Sequence, residues 1–220
     1  ESGYRTALVN VGAMKNRGIE LTLNSVNIDT KDFTWQTSLN YSFNKNEIDK
    51  LYNDLERVGN YFVGQSINVI YTKRFGGIWQ SDEAEIAKIY NAEPGDYKII
   101  DRNRNNIIDD DDRDFVGQTT PQFFGSFSNT FKSHGFDLTI FLTYAGGHKI
   151  YNPFAYLDSY SPSANMSPDY YHNYWTPERP SNKYPRLGST NSQLYETDGM
   201  YQKGDYIRLK NLELGYTLPR

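Results

Sequence analysis

Residues 33–44 alternate strictly between two kinds of side chain. Mostly apolar residues take the odd positions and small polar residues take the even positions. Successive side chains of a strand point to opposite faces, so this pattern predicts a β-strand with one apolar and one polar face. The apolar set is Phe33, Trp35, Thr37, Leu39, Tyr41 and Phe43, and the polar set is Thr34, Gln36, Ser38, Asn40, Ser42 and Asn44.

Other segments repeat this alternation. Ile19, Leu21 and Leu23 alternate with polar residues in the segment just before residue 33. Two more alternating segments follow in the middle of the chain. There, only Asn129 interrupts an otherwise apolar face. The predicted strands cover about 4–28, 33–44, 121–132, 136–146 and 204–218.

The connections between these strands are of two lengths. Short polar turns fall at 29–32 and 133–135, whereas the segments 45–120 and 147–203 are long. Because strand direction alternates, all short turns lie at one end of the sheet. This layout is typical of outer-membrane barrels. The predicted fold class is therefore all-β: antiparallel strands of a transmembrane β-barrel with long extracellular loops, and one short helix, starting near Ser81, within a loop.

The length of the strand over 33–43 fits a membrane crossing. An extended chain of this length rises roughly 33 Å at about 3.3 Å per residue. Tilted by about 40°, it covers roughly 25 Å, the height of the apolar band of such a barrel. Aromatic rings at both ends match the two lipid–water interfaces. The same pattern also fits a water-soluble sheet with one face on a core, and this hairpin alone leaves both alternatives open.

The last strand carries two basic residues. Continuous alternation predicts Arg208 and Lys210 on the same face as Leu212, Leu214 and Leu218. Coming directly after a long loop, the two charges are expected near the outer rim. A charge is tolerated there, whereas at the membrane midplane it costs about 2–4 kcal/mol.

Composition excludes several classes of function. The formal charge of −4 gives no reason to expect a nucleic-acid partner. The absence of cysteine excludes disulfides, thiolate metal sites and a cysteine nucleophile. No apolar run approaches the roughly 18 residues of a transmembrane helix. The three histidines, His134, His148 and His172, lie far apart and without triad-like neighbours, so no enzymatic activity is predicted.

A set of ordered motifs resembles a known family. The resemblance is to SusC/RagA-type TonB-dependent outer-membrane transporters of Bacteroidetes. It covers nearly the whole chain. The motifs, in order, are NVGAMKNRGIELTLN, VGQSINVIYTKRFGGIWQSDEAE, PGDYKIIDRNRNNIIDDDDR, FDLTIFLTYAGGHKIYN, WTPERP with YPRL, and GDYIRLKNLELGYTLP.

The resemblance implies a place and partners for the chain. It implies part of a barrel of about 22 strands in the outer membrane of a Gram-negative bacterium, in contact with membrane lipid. It also implies a SusD-like surface lipoprotein as partner, an oligosaccharide or peptide as substrate, and energy from TonB through a plug. The plug is not in this sequence, so we expect the chain to be a piece of a longer protein.

An acidic loop at 101–112 matches a calcium-loop template. Hard cations prefer oxygen ligands at positions 1, 3, 5, 7, 9 and 12 of such a loop. Position 6 is Asn106 instead of glycine, and position 12 is an aspartate instead of glutamate. The sequence predicts a structural Ca²⁺ site, with a solvated acidic turn as the alternative. Its ligands would be Asp101, Asn103, Asn105, the carbonyl of Ile107, Asp109 and Asp112.

The second long segment is rich in aromatic residues. Such rings can bind sugars, peptides or a partner protein, or they can pack the segment against itself, and self-packing is expected for most of them. No ring is therefore assigned to substrate. An alternative function is a soluble, calcium-dependent carbohydrate-binding module, and a secreted hydrolase is a third. The rings are Tyr151, Phe154, Tyr156, Tyr160, Tyr170, Tyr171, Tyr174 and Trp175.

Overall fold

The fold is known from a computed structural model, which describes residues 12–152, 165–189, 194 and 196–218. The predicted strand segment 4–11 and the rings of Phe154, Tyr156 and Tyr160 lie outside these residues. The chain divides into two compact units. The sheet unit comprises Glu1–Val69, Gln118–His148 and Lys203–Arg220, and the loop unit comprises Ile70–Gly117 and Lys149–Gln202.

Strands account for most of the regular structure. The described residues include two short α-helices, α1 (Ala84–Ile89) and α2 (Pro168–Asn173). No helix in the described ranges is long and apolar enough to cross a membrane. The strands are β1 (Gly12–Asp29), β2 (Phe33–Leu51), β3 (Arg57–Val58), β4 (Tyr61–Phe62), β5 (Val69–Lys73), β6 (Phe75–Ile78), β7 (Tyr97–Ile99), β8 (Arg113–Gln118), β9 (Phe123–Ser133), β10 (Phe136–Gly146), β11 (Lys149–Tyr151), β12 (Tyr201–Lys203) and β13 (Tyr206–Tyr216).

A five-stranded antiparallel sheet forms the sheet unit, in the order β1-β2-β9-β10-β13. The all-β class predicted from the sequence is confirmed. The short turns after β1 and β9 meet directly, because the Ser133 hydroxyl donates a hydrogen bond to the carbonyl of Asp32 at 2.9 Å. The amide of Thr217 donates to the carbonyl of Gly135 at 2.7 Å. Both short turns and the end of β13 therefore lie at one end of the sheet.

The two faces of this sheet differ in polarity across all five strands. One row of paired residues is apolar across all five strands and the neighbouring row is polar. We call the two sides the apolar face and the polar face. The apolar row is Leu23, Leu39, Phe127, Leu142 and Leu209. The polar row is Thr22, Asn40, Ser126, Thr143 and Arg208.

The second strand extends beyond the end predicted at Asn44. β2 continues to Leu51 and pairs with β1 as far as Gly12. The apolar alternation ends after Asn44, where charged residues such as Lys45 and Glu47 follow. The strand nevertheless continues, because main-chain hydrogen bonds between strands form whatever the side chains are. The predicted loop over 45–120 therefore begins only after Leu51.

The loop unit has a buried core of its own that draws on both long segments, which the sequence analysis did not predict. Short strand pairs β5–β8, β6–β7 and β11–β12 bring distant segments together. The single predicted helix is found as α1, preceded by a 3₁₀ turn at Ser81–Glu83. α2 is a second helix, which the sequence reading did not include. The buried core cluster consists of Ile78, Tyr97, Trp175, Leu194 and Met200.

Candidate functional site

The polar face is a surface of hydroxyl and amide groups linked across the strands. Thr22 donates its hydroxyl proton to Oδ1 of Asn40 at 2.9 Å, and Nδ2 of Asn40 donates to the Ser126 hydroxyl at 3.1 Å. On the neighbouring strands the hydroxyls of Thr130 and Thr139 lie 3.2 Å apart. Cross-strand pairs of this kind fix side-chain positions as well as register. The result is an ordered, uncharged wall that is mostly polar, with Phe124 and Phe141 as apolar side chains on it.

Charged residues on this face stand at its margins. Glu20 lies on the edge strand β1, and Arg208 and Glu213 lie on the edge strand β13. Lys132 and Asp137 pair with each other next to the short turn. The side chains at the centre of the polar face are therefore uncharged, and the charged side chains lie at its borders.

Arg208 belongs to the polar face, so the prediction that it shares a face with Leu212 is wrong. Phe141 pairs with Asn211 and Leu142 pairs with Leu209, which leaves Lys210 as the extra residue of a β-bulge. A bulge shifts the alternation by one residue. The sequence carried a signal for it, because apolar residues change from odd positions (Ile207, Leu209) to even ones (Leu212, Leu214).

The acidic loop is held closed by its own side chains. Oδ1 of Asp101 accepts the Arg104 amide at 2.6 Å, and its Oδ2 accepts the Asn106 amide at 2.8 Å and the Tyr90 hydroxyl at 3.0 Å. Desolvation raises the pKa of Asp101, but the bonds from Asn106, Tyr90 and Arg104 together hold it below its ordinary value. Asn106 has φ +67°, so it adopts the left-handed turn for which the template uses glycine.

Asp112 acts as a cap within this loop. It is buried, at 1% exposure. One of its carboxylate oxygens accepts the Arg102 amide at 2.7 Å, and the other accepts the Asp109 amide at 3.0 Å. Asp109 in turn accepts the amide of Asp111 at 2.9 Å. Both carboxylate oxygens of Asp112, the residue at position 12 of the template, therefore accept hydrogen bonds from main-chain amides.

The remaining predicted ligands lie in the same loop. Oδ1 of Asn103 accepts the Asn105 amide at 3.0 Å, and Oδ1 of Asn105 accepts the Ile107 amide at 2.8 Å. Within the described ranges, no three His, Cys, Asp or Glu side chains are grouped so that they could hold a metal. A cation at this loop would therefore depend on amide and carbonyl oxygens as well as carboxylates.

Two of the aromatic residues predicted in the second long segment, Tyr170 and Trp175, are buried. Tyr170 is fully buried and donates its hydroxyl to the Arg186 carbonyl at 3.2 Å. Trp175 is buried and donates its indole N–H to Gln80 at 3.0 Å. Tyr151 and Tyr171 remain about half exposed. The predicted self-packing therefore holds for Tyr170 and Trp175.

Curated relatives match almost the full chain. TonB-dependent receptor P3 of Formosa agariphila is 30% identical over 234 residues, which cover 99% of this chain and 23% of the relative. The receptor SusC of Bacteroides thetaiotaomicron is 26% identical over 219 residues, covering 94% of the chain and 21% of SusC. No family model matches the sequence.

The chain is homologous to a segment of TonB-dependent receptors. It spans about a quarter of the length of the curated receptors it matches. Among solved structures, that of the RagAB peptide transporter matches 99% of this chain and 24% of its own chain, with a TM-score of 0.74 and 24% identity. At that identity the likeness establishes the fold. The relatives' names describe receptors and a transporter, and that this chain is not an enzyme stays a prediction.

Proposed function

We propose that the chain forms a sector of the barrel wall of an outer-membrane TonB-dependent transporter. The observation that carries this proposal is the pair of rows across the five strands, one wholly apolar and one polar. Apolar side chains at the sheet edges are highly exposed, 67% for Ile19 and 75% for Leu214. Hydrocarbon accommodates such a face, and the polar face then borders an aqueous channel.

The polar face is the part of the sector that meets the substrate. Its centre offers uncharged hydroxyls and amides, which bind and release polar solutes by exchanging hydrogen bonds with water. This chemistry suits oligosaccharides and the main chain of peptides. The RagAB peptide transporter supports a peptide as substrate, and the resemblance to SusC/RagA-type transporters adds an oligosaccharide as the other class. That resemblance also implies a SusD-like surface lipoprotein as partner, and the relatives' names support TonB as the source of energy.

The orientation of the two faces can be tested with labels in the full-length transporter. Single nitroxide labels would replace Leu39 and Leu142 on the apolar face, and Ser38 and Thr139 on the polar face. We expect the first pair to be relaxed by lipid-soluble oxygen and the second pair by a water-soluble nickel complex. Equal accessibility at all four positions would contradict a barrel wall.

We also propose that the acidic loop binds Ca²⁺ in a structural role. The left-handed turn at Asn106 and the inward position of Asp101 support it, while Asp112 serves first as a main-chain cap. Asp101, Asn103, Asn105, Asp109 and the Ile107 carbonyl then supply the oxygens. The cation's charge is what would hold these oxygens together.

Terbium luminescence of the full-length transporter tests this site. We expect Asp101→Asn to weaken terbium binding by at least about tenfold, since one ligand charge is lost. Asp111→Asn is the matched control, because Asp111 is an exposed residue of the same loop outside the predicted ligand set. Identical titrations of the two variants would exclude calcium at this loop.

A further inference from the structure

Phe124 places an exposed aromatic ring on the polar face. The register sets it between Ser42 on β2 and Ala145 on β10, and its side chain is 50% exposed. A phenyl ring among hydroxyl and amide groups gains nothing from contact with water, whereas a bound molecule that covers it gains free energy. The groups around the ring determine which molecule that is.

An open groove of about 520 Å³ runs beside this ring. Its lining includes Glu20, Ser42 and Asn44, and also Gly18, which has no side chain to fill the space. Ligand sites are commonly clefts of about 300–1,000 Å³ in which an apolar wall faces a few convergent polar groups. We call the part of the groove formed by Glu20, Ser42, Asn44 and Phe124 the notch.

The register places the ring and the carboxylate of the notch on either side of a small residue. Glu20 pairs with Ser42, and Ser42 pairs with Phe124. Neighbouring strands lie about 4.8 Å apart, so the main chains at Glu20 and Phe124 are roughly 10 Å apart. The short Ser42 side chain leaves the space between them open. A cation about 3 Å from the carboxylate and within about 6 Å of the ring centre fits this gap.

Glu20 carries a charge that nothing in the described part of the chain compensates. Its side chain is exposed, and it takes part in none of the ion pairs found among the described residues. Arg17 and Lys45 pair with each other in the register, but their odd positions place them on the opposite face of the β1–β2 ribbon. Lys45 also forms an ion pair with Glu47. The Glu20 carboxylate is therefore available to a cation from outside this segment.

An arginine side chain matches the chemistry of the notch. The guanidinium is planar, so its face stacks on an aromatic ring while its edge presents paired N–H donors to a carboxylate. It has five N–H donors and no acceptor. The Ser42 hydroxyl and the Asn44 amide oxygen supply further acceptors beside Glu20. An uncharged sugar would satisfy these hydrogen-bonding groups but would leave the carboxylate without a counter-charge.

The notch lies at the end of the sheet from which the long segments emerge. β2 and β9 stop pairing at Phe43 and Phe123, one residue beyond the row that contains Ser42. The short turns lie at the opposite end of the same strands. In the proposed barrel, this end is the outer mouth of the channel, where an incoming substrate arrives first.

We propose that the notch binds an arginine side chain of a peptide substrate. Glu20 accepts hydrogen bonds from the edge of the guanidinium, and the Phe124 ring stacks against its plane. Of the two substrate classes considered above, this chemistry selects peptides. The inference rests on the proposed function, which places the polar face in an aqueous channel.

Calorimetric titration of the full-length transporter tests it with two pentapeptides. One is acetyl-Gly-Ser-Arg-Ser-Gly-amide, and the other carries citrulline, which has nearly the shape of arginine but no charge. We expect the wild-type protein to bind the arginine peptide about fivefold more tightly at low salt, the effect of an exposed ion pair together with a cation–π contact. This comparison does not depend on the folding of a variant. Equal affinities would overturn the proposal, and so would a failure of both peptides to bind.

Matched variants then locate the effect. Glu20→Gln should abolish the preference for arginine, and Phe124→Leu should reduce it. Glu47→Gln removes a carboxylate from the opposite face of the same ribbon and should leave the preference unchanged. A preference that persists in Glu20→Gln, or that disappears equally in Glu47→Gln, would overturn the assignment. A nitroxide at Ser38 separates the two proposals. Lipid exposure there refutes the proposed function, whereas water exposure without an arginine preference refutes only this inference.

Discussion

Gly125 leaves room on the apolar face for the side chain of Tyr144. The Tyr144 side chain lies over Gly125, and its hydroxyl donates to the main-chain carbonyl of Asn40 at 3.0 Å. A Cβ atom at Gly125 would lie 2.5 Å from that hydroxyl oxygen and 2.0 Å from the carbonyl oxygen. The missing side chain therefore allows a tyrosine from β10 to reach across β9 to β2, which braces three strands.

Substituting Gly125 by alanine should destabilise the sheet. We expect Gly125→Ala to lower the free energy of unfolding by about 1–3 kcal/mol, because Tyr144 must move and the strands must shift. Tyr144→Phe keeps the ring and loses one hydrogen bond, so its effect should be smaller, about 1 kcal/mol. Urea unfolding of the full-length transporter in bilayers would measure both. Wild-type stability of Gly125→Ala would contradict this account.

The position of a single residue could be predicted from the sequence where it depends on neighbouring residues, and not where it depends on residues distant in the chain. Alternation between adjacent residues within each strand correctly places Leu39 and Leu142 on the apolar face. The Trp35–Asn129 hydrogen bond joins residues 94 positions apart in the chain. It follows from the β2–β9 register, which alternation within one strand does not fix. The aspartate bonds of the 101–112 loop are local, and the left-handed turn at position 6 was foreseeable from the template.

At the scale of elements, the β-bulge at Lys210 keeps both ends of β13 in phase with β10. Lys210 has no partner in the ladder, so removing it would leave Leu209 opposite Leu142 and Arg208 opposite Thr143. Removing Glu213, which does have a partner, would instead move Leu212 to the polar face. Deleting Lys210 should therefore preserve the pairing of β13 with β10, whereas deleting Glu213, three residues away, should disrupt it.

This difference gives a direct test of the bulge. We expect the transporter lacking Lys210 to assemble and to keep a nitroxide at position 212 in lipid. The transporter lacking Glu213 should assemble poorly, and any assembled protein should show that label in water. Gel mobility with and without heating reports assembly, and relaxation by oxygen reports exposure. Equal behaviour of the two deletions would refute the register described for β13.

The strand pairs and core contacts of the loop unit were not predicted, because the residues that form them are distant in sequence. The Trp175 indole binds Gln80, and the buried Asp96 carboxylate accepts hydrogen bonds from Arg186 and Ser189. Such contacts leave no periodic pattern in either partner. β2 was likewise cut short at Asn44, because its last residues pair through the main chain after the apolar alternation has ended.

At the scale of the whole molecule, the sheet has two edges. β1 and β13 each pair on one side only within the described five-stranded sheet. Open edges expose main-chain donors and acceptors, and the exposed apolar face adds to the tendency to associate. The strands of the rest of the transporter would satisfy both edges in a closed barrel.

Expression of these 220 residues alone tests this dependence. We expect the isolated chain to aggregate in buffer without detergent, as measured by size-exclusion chromatography, and to lack a near-ultraviolet circular dichroism signal of fixed aromatic rings. The full-length transporter is the control. A soluble, folded monomer would contradict the barrel assignment and favour the calcium-dependent carbohydrate-binding module.

The β1–β2 ribbon continues well past Phe43, the last aromatic ring of its apolar alternation. From Phe43 to Leu51 it rises roughly 26 Å along the strand, or about 20 Å in height at the tilt expected for a barrel. Its far end is braced, because Ile48 is buried and exchanges main-chain hydrogen bonds with Gly64 and Gln65. In the proposed barrel, this supported ribbon would carry the segment that follows Leu51 well outside the level of Phe43, where a solute in the medium meets it first.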